Sequence, residues 1–202
     1  MDIFDFAGCG VYAQPLRDAC AKWGVDKSSI PYFLGQLSVE SMKFTRVVEN
    51  LNYRAETLLR ICLQSRPPRS GITTLTLAQA VVSQGKDAIA EALYGGSWGA
   101  QHLGNTQLGD GAKFIGHGLI QTTGRYNHHV TSQRVHGDDR YVDNPSLLTI
   151  ANEAAEAACS FWMSKKLNGV RDVTTITRAI NGASEGLDAR QAETDSLTAY
   201  NP

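Results

Sequence analysis

No stretch of the 202 residues is long and apolar enough to span a bilayer, which excludes a membrane-spanning helix. Four cysteines, Cys9, Cys20, Cys62 and Cys159, are too few and too scattered for a disulfide scaffold. They form no CxxC pair for zinc or redox chemistry, so reduced, mostly buried thiols are expected. An excess of one charge is missing too. Nineteen Lys+Arg against twenty Asp+Glu leave a formal net charge of -1, without the broad basic surface of a general nucleic-acid binder. There is no GxxxxGK[ST] phosphate loop, no GxSxG elbow, no HExxH and no Rossmann fingerprint after a strand. The opening MDIFDFAGCGVYAQ is acidic where a secretory signal is basic, so synthesis in the cytoplasm without such a signal is expected.

What is present is helical periodicity. With 42% hydrophobic residues, the length suits one medium domain or two small lobes around a common cleft. Val11, Leu16, Ala19, Cys20 and Trp23 recur at threes and fours and stop at Gly24. Ser28 or Ser29 can cap a second helix with Pro31 in its first turn, its apolar face running from Ile30 through Phe33, Leu34 and Leu37 toward Met42. A third helix fits 54–64, with Ala55, Leu58, Leu59 and Cys62 inward. Residues 65–75, with two prolines and a glycine, read as a loop. Residues 76–94 read as one helix, or as two broken near Gly85. The segment 95–118 carries eight glycines and reads as a long irregular loop, of the kind that is functional or mobile. Helices resume at 124–136, 151–167, 172–181 and 187–199, and 114–122 has room for a short strand or hairpin. The fold class expected is mainly α.

Two carboxylates stand out. Glu40 closes the otherwise apolar FLGQLSVESMKF helix, beside core positions Leu37 and Phe44. Partial burial raises a carboxyl pKa, which a general acid working near neutrality needs. Glu49 follows in VVENLNYRAE. At about 100° per residue an unbroken helix would point the two acids to opposite sides. A turn at Met42–Thr45 or at Glu49–Asn52 is needed for them to share a cleft, with Tyr53 seating the exit. Glu56 is a spare acid in the next helix. Paired carboxyl groups across a cleft are the equipment of glycoside hydrolysis.

A second constellation is GHGLIQTTGRYNHH at 116–129. Its glycines permit close backbone approach, and Gln121, Thr122, Thr123 and Asn127 offer the neutral donors and acceptors that sugar hydroxyls and acetamido groups require. A third is AINGASEGLDARQ at 179–191. There Asn181 is a helix C-cap or a substrate contact, and Arg190 can pair with Glu40, with Glu49, or with Asp188 and Asp195. His102 and His117 sit among glycines, whereas the adjacent His128 and His129 cannot share a helix face. No metal site is expected.

These segments occur together, and in order, in a known family. FLGQLSVES, FTRVVENLNYRAETLL, the glycine-rich segment, GHGLIQTTGRYNHH, DNPSLL and RAINGASEGLDARQ resemble the phage endolysins of glycoside hydrolase family 19, the lysozyme-type branch of the family 19 chitinases. The resemblance covers about 30 to 190. It implies a lysozyme-like, two-lobed helical domain with a central cleft and at most a small β-hairpin, the whole chain forming one catalytic domain without a separate wall-binding module. It implies hydrolysis of the β-1,4 bond between N-acetylmuramic acid and N-acetylglucosamine in peptidoglycan.

By position, the acid of the family's His-Glu-Ser motif falls on Glu40 and that of its Glu-Asn-Leu-Asn-Tyr motif on Glu49. The Gln and Ser/Thr of its Gly-x-Gly-x-Ile-Gln-x-[Ser/Thr] motif fall on Gln121 and Thr123, and the Asn of its Ile-Asn-Gly motif on Asn181. The mechanism implied has Glu40 as general acid and Glu49 as general base, with Thr123 placing the water. Gln121, Asn181, Tyr53, His117 and Arg190 serve as substrate contacts, and Glu56 stands as alternative second acid. Inversion is implied, with the carboxyl groups roughly 6.5–9.5 Å apart.

Three positions depart from the family pattern: Val39 replaces its His, His117 the Arg of its Gly-Arg-Gly run, and Ala183-Ser184 the second Gly of its Asn-Gly-Gly turn. The resemblance further implies a monomer without cofactor, made in the host cytoplasm. It would act on glycan strands in the periplasm after a holin permeabilises the membrane, with no nucleic-acid partner and no stable membrane insertion. A chitinase on N-acetylglucosamine polymer and a non-catalytic glycan-binding domain are the alternative readings.

Overall fold

The computed structural model describes residues 1–65 and 69–200; part of the expected 65–75 loop therefore lies outside the described residues. Helix accounts for 65% and strand for 2% of the structure, with no sheet, so the mainly α class is what the structure shows. The helices are α1 (Ile3–Phe6), α2 (Ala13–Trp23), α3 (Ile30–Glu40), α4 (Ala55–Gln64), α5 (Leu75–Ser83), α6 (Lys86–Tyr94) and α7 (Gly96–Leu103). They continue with α8 (Asp110–Lys113), α9 (Arg125–His136), α10 (Arg140–Asp143), α11 (Ala151–Ser164), α12 (Val173–Asn181) and α13 (Leu187–Thr198). The expected hairpin near 114–122 is reduced to single antiparallel bridges, Val48 with His117 and His117 with Thr122. Among the described residues no helix is long and apolar enough to cross a membrane.

The chain divides into two compact units. The first comprises 1–47, 118–121 and 146–202. Its core joins Leu16 of α2, Phe33, Leu34 and Leu37 of α3, Trp162 of α11 and Ile176 of α12. Helix α3 is buried almost all round, Gly35, Gln36 and Ser38 included. Gly35 admits α13: a Cβ there would lie 2.5 Å from Thr194 Oγ1. The two helix backbones therefore close on each other at this point, and Arg190, one turn before Thr194 on α13, meets Gln36 and Glu40 of α3.

Three sequence expectations are corrected here. Val11 is 77% exposed, because residues 10–12 form a separate 3-10 turn and the helical register starts only at Ala13. Met42 is exposed, because α3 ends at Glu40 and the chain turns through three left-handed residues, Met42, Lys43 and Phe44. Ser41 holds that turn, donating to the Leu37 carbonyl at 2.6 Å and accepting from the Phe44 amide at 2.9 Å. Ser29 occupies the N-cap position of α3 but does not cap it. Its hydroxyl instead accepts from the Gly169 amide and the Arg171 guanidinium.

All four cysteines are buried, and Cys20 of α2 and Cys159 of α11 touch with their sulfurs 3.7 Å apart. Burial pushes the Cys9 thiol up to about 12, so it is no nucleophile at neutral pH.

The second unit comprises 48–117 and 122–145, with Leu51, Leu58, Cys62, Ile89 and Leu93 in its core. Gly85 separates α5 from α6, so 76–94 is two helices. The expected irregular loop 95–118 is corrected: it contains α7 and α8. Low helix propensity made the glycines read as loop, but here they permit close approach. A Cβ on Gly99 would sit 1.8 Å from the Tyr94 carbonyl oxygen. Asn105 closes the segment, donating to that carbonyl at 2.9 Å and accepting from the Arg125 amide at 2.7 Å. We expect Gly99→Ala to destabilise the protein by at least about 1–3 kcal/mol, the usual cost of overpacking, as a lowered urea midpoint shows.

His128 on α9 is fully buried. Its Nδ1 donates to the Gly124 carbonyl at 2.9 Å, and its Nε2 is buried without a partner. Burial pulls its pKa from 6.5 down to about 4, with the nearby His117 and Lys113 acting in the same direction. The unfolded chain therefore binds a proton that the folded chain refuses between these values. The stability is fully present above pH 6.5 and falls by about 3 kcal/mol as pH drops to 4. Tm measured across that interval is expected to decline, and His128→Asn, which keeps a donor but does not titrate, to flatten the decline.

Candidate active site

In the first unit the candidate residues gather around Arg190. This α13 side chain is 4% exposed and fully engaged. It donates to Glu40 Oε1 at 2.6 Å, to Gln36 Oε1 at 2.7 Å and to the Glu185 carbonyl at 3.1 Å. Gln36 and Glu40 lie one helical turn apart on α3, hence on one face. The amide end of Gln36 donates in turn to Thr177 Oγ1 at 3.3 Å, which orients its oxygen toward the guanidinium. Of the partners open to Arg190 from sequence, the structure selects Glu40. The Glu40 side chain keeps 18% exposure, so it is framed by the core yet reaches the surface.

Asn181 ends α12 beside Gly182, which takes the left-handed conformation at φ 74°. Its side chain accepts from the Ala183 amide at 2.9 Å and donates to the Glu185 carbonyl at 3.2 Å, organising the 181–186 loop. Asn181 and Arg190 thus meet at Glu185. Gln121, at φ 52°, folds back so that its side-chain amide donates to the Gly118 carbonyl at 2.9 Å.

In the second unit the frame is built around Glu49. The Tyr94 hydroxyl donates to Glu49 Oε1 at 2.5 Å, and the Gly116 amide donates to Oε2 at 3.1 Å. The Glu49 amide donates to the Gly116 carbonyl at 2.9 Å, so the two residues are tied together by backbone as well as side chain. A carboxylate has about four acceptor positions, and one donor on each oxygen leaves capacity for a water. Burial and the adjacent Glu49 charge hold the Tyr94 phenol well above its ordinary value, so it remains a donor.

Tyr53 is half-buried against the core of this unit. Glu56 is exposed on the first turn of α4, lining an open groove with Leu59, Leu63 and Leu75. Thr123 is half-buried, and its carbonyl accepts from Asn127 Nδ2 at 2.8 Å. His117 is buried, with Nδ1 donating to the Ile115 carbonyl at 2.8 Å, and burial lowers its pKa below 6.5. It therefore carries no charge at neutral pH where the family pattern has a permanent cation. His102 is exposed and stacks on Trp98. Among the described residues, no group of three or more His, Cys, Asp or Glu side chains is arranged to hold a metal ion.

Two residues that sequence reasoning passed over belong to these frames. Gln36 left a signal, a polar residue on the buried stripe four positions before Glu40. Tyr94 left none, being 45 residues from its partner.

Each unit of this mainly helical chain holds one hydrogen-bonded carboxylate that is not sealed from solvent, and two carboxyl groups are what glycoside hydrolysis uses. No family profile matches the chain. A glycosyl hydrolase family 19 domain-containing protein of Haemophilus influenzae is 31% identical over 191 residues, covering 93% of this chain and 88% of that protein. The chain belongs to glycosyl hydrolase family 19.

Proposed function

We propose that this hydrolase is a peptidoglycan-degrading endolysin, cutting the β-1,4 bond between N-acetylmuramic acid and N-acetylglucosamine with inversion. The observation that supports the reading is a carboxylate in each unit, Glu40 in one and Glu49 in the other, each held by donors and neither sealed from solvent. Glu40 protonates the glycosidic oxygen as the bond to the anomeric carbon breaks. Glu49 takes a proton from the attacking water, which Thr123 helps to place, while Gln121, Asn181, Tyr53 and His117 contact the sugars. Arg190 is spent on Glu40 and acts through it. The protein works as a monomer, made in the host cytoplasm and reaching the periplasmic wall once a holin opens the membrane.

Hydrolysis of N-acetylglucosamine polymer uses the same chemistry, so the test is a direct comparison. Isolated peptidoglycan and chitin hexamer are digested side by side, and the anomer formed first is read by proton NMR. Faster cleavage of peptidoglycan with the α-anomer first is expected. Preference for chitin would make the protein a chitinase, and the β-anomer first would remove the inverting mechanism.

A further inference from the structure

The glycine-rich segment after α6 is an elaborate support for a single residue. Gly99 packs against the Tyr94 carbonyl, which also accepts from Asn105 Nδ2 at 2.9 Å. The Arg69 guanidinium lies over the Tyr94 ring, 5.8 Å from its centroid. The backbone, the ring and the hydroxyl of Tyr94 are thus each held, and the hydroxyl ends on Glu49.

We infer that Tyr94 is a positioning residue for the water-side carboxylate: with the Gly116 amide it clamps both oxygens of Glu49 in one rotamer, leaving an acceptor position on each oxygen for the water. This rests on the reading of Glu49 as general base. A phenol suits the task because its donor sits on a rigid ring. The Gly116 amide cannot replace it, since it binds the other oxygen and leaves the first free to rotate away.

The test uses soluble, uncross-linked peptidoglycan strands as substrate. Tyr94→Phe keeps the ring and removes only the hydroxyl. We expect an unchanged Tm, kcat lowered about ten-fold and KM within about two-fold, the split of an interaction that acts in the transition state. Glu49→Ala supplies the control. Azide then attacks the anomeric carbon without needing a base, the glycosidic bond breaks, and Glu40 gives its proton to the leaving oxygen. In this azide-rescued background Tyr94→Phe is expected to change nothing, because its partner is gone.

An equal loss in both backgrounds would make Tyr94 merely structural and overturn the inference, as would full kcat in folded Tyr94→Phe. Wild-type activity in Glu49→Ala would remove Glu49 from the mechanism itself, and the role of Tyr94 with it. Rescue of Glu49→Ala by azide together with wild-type kcat in Tyr94→Phe would overturn the role of Tyr94 alone.

Discussion

Glu40→Gln is expected to fold, with some loss of stability because the buried Arg190 guanidinium loses its counter-charge, and to lose roughly 10²–10⁴-fold in kcat, the usual contribution of a positioned general acid. The glutamine keeps the side chain's shape, and its oxygen can still accept from Arg190, which donates to Glu40 Oε1 at 2.6 Å. It cannot deliver a proton to the leaving sugar oxygen. Clearing of outer-membrane-permeabilised Gram-negative cells, followed as loss of turbidity, separates the cases. Wild type clears and the folded variant barely does so. Comparable clearing by both would remove Glu40 from the chemistry.

Arg190→Met has the second large effect, and it falls on stability. The side chain is 4% exposed, and its guanidinium satisfies Glu40, Gln36 and the Glu185 carbonyl together. Truncation leaves a largely buried carboxylate without its cation, a loss of about 3–5 kcal/mol for a pair of this kind. Arg190→Lys keeps the charge but not the fork, so it is expected to recover only part of the loss. The double variant Glu40→Gln with Arg190→Met removes both charges. It is expected to be more stable than Arg190→Met alone, and urea denaturation of the four proteins gives the coupling energy. Additive losses would show that the two side chains do not depend on each other.

The sequence displays the helical class openly, because long periodic segments such as ANEAAEAACSFWMS bury one stripe whatever their partners. Its failures are local. Gly99 reads as a loop former because propensity reports the absence of a side chain, whereas the structure uses that absence to admit the Tyr94 carbonyl. Val11 and Met42 fit a helical period that the backbone abandons at a 3-10 turn and at a left-handed turn.

The candidate site divides in the same way. Glu40 and Glu49 stand out as acids in apolar or motif-rich surroundings, and Gln36 shares a helix face with Glu40. The choice of Glu40 for Arg190 depends on a contact between α3 and α13, where Gly35 meets Thr194. No pattern within either helix encodes that meeting. Tyr94 is invisible for the same reason, since its hydroxyl is brought to Glu49 from another part of the chain.

The most direct measurement is the chemistry of the new chain end. Peptidoglycan digested by the wild-type protein is reduced with borohydride, hydrolysed and analysed for amino sugar alcohols. Muramitol as the reduced sugar is the predicted result, because cleavage at the N-acetylmuramic acid anomeric carbon leaves that residue reducing. Glucosaminitol in its place, or no new reducing end from active, folded protein, would contradict the account.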